Sequence, residues 1–96
     1  MPWGTPEEVE RRNRIRVSVW AYAYEFMDES LVSDAEYDAL SLQINPNIPT
    51  GHPELDRFFA TEFSPATGMW VRKHPDQRGL HRTYLRLKAL NKESPC

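Results

Sequence analysis

Apolar residues recur at three- and four-residue spacing early in the chain. Ile15, Val19, Tyr22, Ala23 and Phe26 fall on one stripe of a helix. Its start is written in Thr5-Pro6-Glu7-Glu8: Thr5 caps, Pro6 suits the first helical position, and Glu8 stands where a capping box needs its carboxylate. Nothing breaks the pattern before about Asp28. Glu7 with Arg11, Glu8 with Arg12 and Glu10 with Arg14 are acid-before-base pairs at i, i+4, each worth about 0.2–0.5 kcal/mol on a helix surface, so the spacing assigns Arg11 to Arg16 to a solvated face. After "DESLVS", Ser33 caps a second helix, Glu36 completes a second capping box, and Tyr37, Leu40 and Ile44 form its buried face. That helix ends near "NPNIPTGHP", where three prolines and a glycine forbid regular structure. "HPELDRFFATEF" predicts a short third helix with Leu55, Phe58 and Phe59 inward, followed by a turn at "SPATG" and an extended "MWV" covering the core. The last segment is read as helix from Gly79, with Leu80, Tyr84, Leu87 and Asn91 in helical register. "TYLRL" also alternates as a strand would, but the run exceeds ten residues without proline or glycine.

The expected architecture is therefore all-α: an antiparallel helix pair, a short third helix and a basic C-terminal segment, in one domain spanning 1–96 with frayed ends at 1–4 and 92–96. A chain of 96 residues supports one core with a net stability of roughly 5 kcal/mol, which argues against an elaborate active site. No apolar run approaches the roughly 20 residues of a membrane span. The only cysteine is Cys96, so neither an intramolecular disulfide nor a cysteine-based zinc site is expected, and a cytoplasmic setting follows. The net charge of −2 conceals an asymmetry: up to Val71 the chain carries twelve acidic and five basic residues, whereas Arg72 to Cys96 carries seven basic and two acidic.

Asp34 and Glu36 are explained by the helix dipole, which favours acids in the first turn. Tyr37 with Asp38 is not. Opposite them the first helix offers Trp20, Tyr22, Tyr24 and Phe26, four rings within seven positions, which one apolar stripe cannot absorb. Rings that hold a planar heterocycle, beside carboxylates that accept from sugar hydroxyls, make a stack-and-hydrogen-bond site.

The stretch from Ile15 to Leu42, with its aromatic-rich helix and "DAEYD" box, resembles the N-terminal helical domain of bacterial NAD-dependent DNA ligases. "HPEL" at 52–55 and Ser64, Pro65 and Thr67 follow in the order seen there. The likeness covers roughly residues 15–67 and extends to small ligase-related proteins encoded by bacterial viruses. It implies a site for the nicotinamide mononucleotide half of NAD, with Tyr24 and Tyr37 against nicotinamide and Asp34 and Asp38 at the ribose. Glu25 departs from the pattern, because the ligases commonly carry histidine there, and an anion repels phosphate. The nucleophilic lysine of a Lys-x-Asp-Gly motif is missing, so the chain is not itself a ligase.

On a helix, Arg78, Arg82 and Arg86 share one face and could contact phosphate, with Lys73, His74 and His81 nearby. A pI near 5.9 argues against direct nucleic-acid binding. His52, His74 and His81 have no metal-ligand spacing, and no serine stands on a nucleophile elbow. Two readings follow. One is a non-catalytic, nucleotide-binding protein, with Trp20, Tyr24, Glu25, Asp34, Tyr37 and Asp38 around nicotinamide mononucleotide, NAD or an ADP-ribose derivative, which a phage could use to sequester a signalling nucleotide. The other is a phage-encoded interaction factor that uses Trp3, Trp20, Trp70 or its acidic surface to inhibit a host defence or nucleic-acid enzyme; a homo-oligomer is open under either.

Overall fold

The computed structural model describes residues 4–93, so the ends at 1–3 and 94–96, expected to fray, lie outside the described residues. It is all-α: α1 (Pro6–Phe26), α2 (Asp34–Gln43), α3 (Pro53–Thr61), a short 3₁₀ helix (Met69–Lys73) and α4 (Gln77–Glu93), with no strand among the described residues. The last of these takes in Lys92 and Glu93, which the sequence assigned to a frayed end.

At the start of α1 the capping box forms as expected, with Glu8 N–H donating to Thr5 Oγ1 (3.2 Å) and Thr5 N–H donating to the Glu8 carboxylate (2.8 Å). At its other end α1 stops at Phe26, and Asp28 takes a left-handed backbone (φ 52°), a conformation that aspartate tolerates better than most residues. The carbonyl of Ala23 accepts from both Met27 and Glu29 N–H as the chain turns away.

Burial does not follow the single stripe expected for α1. Val17, Ser18, Val19, Ala21, Tyr22 and Ala23 are all buried, whereas Ile15 and Phe26 are 49% and 43% exposed. The reason is position: α1 is the central helix, in contact with α4, with the 3₁₀ helix and with α2. The first turn of α2 lies beside Ala21, Tyr24 and Glu25, and Asn45, past its end, reaches Glu10, so the two helices run antiparallel. Half of the second capping box forms: Glu36 N–H donates to Ser33 Oγ (3.1 Å), but the Glu36 carboxylate accepts from the Ser33 hydroxyl instead of the backbone.

Phe58 and Phe59 of α3 are buried against Trp70, and Phe63 packs edge-on to the same indole with ring centroids 4.9 Å apart. The "MWV" segment is not extended. Trp70 and Val71 are adjacent and both buried, an arrangement that an extended segment lying over the core, with one face to solvent, does not give and one 3₁₀ turn does. At the last helix Asp76 Oδ1 accepts from Gly79 N–H (3.0 Å), and α4 begins two residues earlier than expected. A Cβ at Gly79 would lie 2.2 Å from Asp76 Oδ2, so a larger residue there would require the Asp76 carboxylate to shift.

The arginine cluster is only partly solvated. Arg14 is 4% exposed and Glu10 3%. Arg14 donates to Glu10 (2.7 Å), to Asp56 (2.9 Å), and to the carbonyls of Asn45 (3.0 Å) and Ile48 (2.9 Å), and it lies over the Phe59 ring. Asp56 in turn accepts from the Thr50 hydroxyl (2.6 Å) and amide. A second polar tie joins the α1–α2 connection to α4: Tyr84 O–H donates to the Glu29 carboxylate, with Lys88 Nζ 3.1 Å from the same oxygen.

Two predictions follow. Removing one partner of a buried ion pair typically costs about 3–5 kcal/mol, so Arg14→Ala is expected to leave the domain with about 2 kcal/mol of stability or less, while Arg16→Ala, exposed two positions away, changes stability by about 0.5 kcal/mol or less. Urea titrations followed by circular dichroism check this, and near-equal midpoints for the two variants would remove Arg14 from its central place. The second concerns pH. Burial lowers the pKa of His74, the negative charge of Asp76 only partly opposing it. The Tyr84 hydroxyl, then Lys88, holds Glu29 below the usual carboxylate range. At Asp56 burial pushes upward, but the Thr50 and Arg14 hydrogen bonds outweigh it and the net direction is down. All three are depressed in the folded state, so the unfolded chain takes up protons first as pH falls and stability is lost on the acid side. Unfolding free energy is expected to decline from about pH 6.5 and to fall more steeply below about pH 4. His74→Phe is expected to flatten the first decline alone, and an unchanged profile would exclude His74 as its source.

Candidate functional site

The face of α1 that carries Trp20, Ala21, Tyr24 and Glu25 stands opposite the first turn of α2, which presents Asp34, Tyr37 and Asp38. Residues 30–32 of the connection and 66–68 before the 3₁₀ helix close the two sides. The result is a cleft of about 250 Å³. It brings together the six residues expected to surround the heterocycle and ribose: Trp20, Tyr24, Glu25, Asp34, Tyr37 and Asp38.

Each is held differently. Tyr24 is 62% exposed and has no part in the core. Trp20 and Tyr37 are half-buried and pack against the core. Asp34 and Asp38 are exposed and have no ion pair or side-chain hydrogen bond among the described residues. The phenol end of Tyr37 is turned inward: its hydroxyl is buried beside the Trp70 indole N–H and the Ser41 hydroxyl, and none of the three meets hydrogen-bond geometry among the described residues. Burial raises the Tyr37 pKa. Trp70 and Ser41 offset part of that rise, and the negative charges of Glu25 and Asp38 add to it. The phenol therefore stays protonated, with its ring along the cleft. A Cβ at Gly68 would stand 3.4 Å from the Tyr37 oxygen, so a longer side chain there would crowd Tyr37.

Glu25 is not a free anion. Its side chain is 13% exposed, and Arg72 brings Nη2 to 3.2 Å and Nε to 3.3 Å from one carboxylate oxygen while lying over the Phe26 ring. Sequence reasoning passed over Arg72. The one available signal was the need for a cation opposite Glu25, and the partner is 47 residues away.

The arginines expected to contact phosphate do not join this cleft. Arg78 and Arg82, with His81, line a separate open groove over Tyr22, and Arg86 is exposed further along α4. None of the three has an ion pair or side-chain hydrogen bond among the described residues. Tyr22 is itself absent from the cleft: its hydroxyl is 2.9 Å from His81 Nδ1, and its ring packs on Phe26, His81 and Tyr84. Side chains two positions apart on a helix point about 200° apart. Trp20 and Tyr24 therefore face α2 while Tyr22 faces α4, and α1 stands between the cleft and the α4 arginines.

The other candidates are placed as follows. Trp70 is 4% exposed and Trp20 lies in the cleft, so neither is a projecting interface anchor; Trp3 lies outside the described residues. His74 is buried, its Nδ1 accepting from Asp76 N–H (3.0 Å), and His52 lines a more apolar groove beside Ile15, Phe59 and Leu80. Among the described residues no group of three or more His, Cys, Asp or Glu side chains is placed to hold a metal ion, and no helix is long and apolar enough to cross a membrane. The cleft thus offers rings for stacking and carboxylates for accepting hydrogen bonds from sugar hydroxyls, on a pair of packed helices. No family model, curated protein or solved structure matches the chain.

Proposed function

We propose that the chain is a non-catalytic binding module whose α1–α2 cleft takes a nicotinamide-type nucleoside or nucleotide. The supporting observation is the convergence of Trp20, Tyr24 and Tyr37 with Asp34 and Asp38 around one cleft, although these residues come from two helices and only two of the rings belong to the core packing. A core explanation covers Trp20 and Tyr37 but leaves Tyr24, 62% exposed at the mouth, without a structural role. In this reading Tyr24 and Tyr37 hold the heterocycle by stacking, and Asp34 and Asp38 accept from ribose hydroxyls. The module acts by holding its ligand, and a phage-encoded protein of this kind would withdraw an NAD-derived signalling nucleotide from circulation in the host.

The test is calorimetric titration with nicotinamide riboside, nicotinamide mononucleotide, NAD and ADP-ribose. Micromolar or tighter binding, about −8 kcal/mol, is expected for at least one. Stacking of one ring on a base is worth about 1–3 kcal/mol, so Tyr24→Ala, which leaves the core intact, is expected to weaken that ligand by roughly 5- to 150-fold. Absence of heat with all four ligands, from a protein whose helical signal is intact, would end the proposal.

A further inference from the structure

The cleft's electrostatics narrow its ligand further, on the reading that it is the ligand site. Three carboxylates line it, Glu25, Asp34 and Asp38, and its wall contains no lysine, arginine or histidine. One of the three is compensated: Arg72 approaches Glu25 from outside the lining, directs both contacts to the same oxygen, and is held there by the Phe26 ring. The other two are unpaired among the described residues. The arginines that could balance them, Arg78 and Arg82, open onto a different groove.

We propose that the cleft selects a planar organic cation, a pyridinium-type nucleoside without phosphate, over both its uncharged and its phosphorylated counterparts. Aromatic faces carry negative charge density and attract a cation, and Trp20, Tyr24 and Tyr37 all line the cleft. The Asp34 and Asp38 carboxylates supply the counter-charge, and a delocalised cation, weakly hydrated, loses little on leaving water for this half-open site. A phosphate dianion in the same place meets two uncompensated carboxylates with no cation in the wall, a repulsion that the partly exposed surroundings weaken without removing. Size agrees: about 250 Å³ is below the roughly 300–1,000 Å³ of pockets that take larger ligands, and suits a ring with its sugar better than a dinucleotide.

The experiment compares three probes by calorimetry at low salt: nicotinamide riboside, whose ring is cationic; its 1,4-dihydro form, uncharged and close in shape; and nicotinamide mononucleotide, which adds the phosphate. The riboside is expected to bind at least tenfold more tightly than either of the others and to weaken as salt is raised. In the Asp34→Asn, Asp38→Asn double variant, exposed and outside the core, both gaps are expected to narrow. Equal affinity for the cationic and dihydro ribosides, each weakened by Tyr24→Ala, would overturn the charge selection and leave the binding function standing. Tighter binding of the mononucleotide than of the riboside would overturn it too, with loss of that preference in Arg72→Met tracing the phosphate contact to Arg72. No binding of any probe to a folded protein would bring down the cleft as a ligand site and the selection with it.

Discussion

The buried guanidinium of Arg14 is the interaction from which the rest of the structure hangs. A domain of this size has little apolar core to spare, yet it places a charge 4% exposed at its centre. That is tolerable because each of its three nitrogens donates, through four of the five N–H groups: two carboxylates and two backbone carbonyls accept from it, and an aromatic face lies beneath. Those acceptors come from α1, from the irregular segment after α2 and from α3. One side chain thus gathers three parts of the chain that propensity alone would leave unconnected. The proline-rich segment at 45–53, which has no ladder of its own, takes its shape from this charge and from the Asp56 bonds to Thr50.

With that end of the α1–α2 pair tied, the opposite end is free to open. The cleft lies where α1 ends and α2 begins, away from the Arg14 cluster, and its third wall comes from the residues leading into the 3₁₀ helix. The same 3₁₀ turn drives Trp70 and Val71 into the core and sets Trp70 Nε1 beside the Tyr37 hydroxyl. Core and cleft therefore share an element: Tyr37 shows its ring to the cleft while its hydroxyl end belongs to the interior. The two polar clusters, around Arg14 and around Glu29, hold the flanking helices without drawing on Asp34 or Asp38; of the cleft's carboxylates only Glu25 is taken up in a structural pair, with Arg72.

Much of this was legible in residue order. The caps at Thr5 and Ser33 are local chemistry, completed within three residues, and Phe58 and Phe59 are buried as their spacing indicated. The six cleft residues could be read because they lie within nineteen positions on two consecutive helices, where helical geometry fixes which side chains meet. Apart from the "MWV" turn, the start of α4 and the half-formed second capping box, what reading missed had a distant partner. Glu10 and Arg14 look like a surface pair until Asn45, Ile48 and Asp56 close over them; Arg72 finds Glu25 across 47 residues; the α4 arginines, near the cleft in expectation, stand beyond α1.

The amino-acid sequence by itself determined that the chain is helical, where most of its helices begin and end, and which rings and carboxylates flank the α1–α2 connection. Each of these depends on interactions spanning a turn or two of helix, so the information is local. Only tertiary structure decided that α1 is the central helix, that one arginine of an apparently solvated cluster is the buried hub, and that the cleft's wall is acidic with its single compensating cation outside. Burial and net field are sums over everything that packs around a residue, and no stretch of sequence contains its own surroundings.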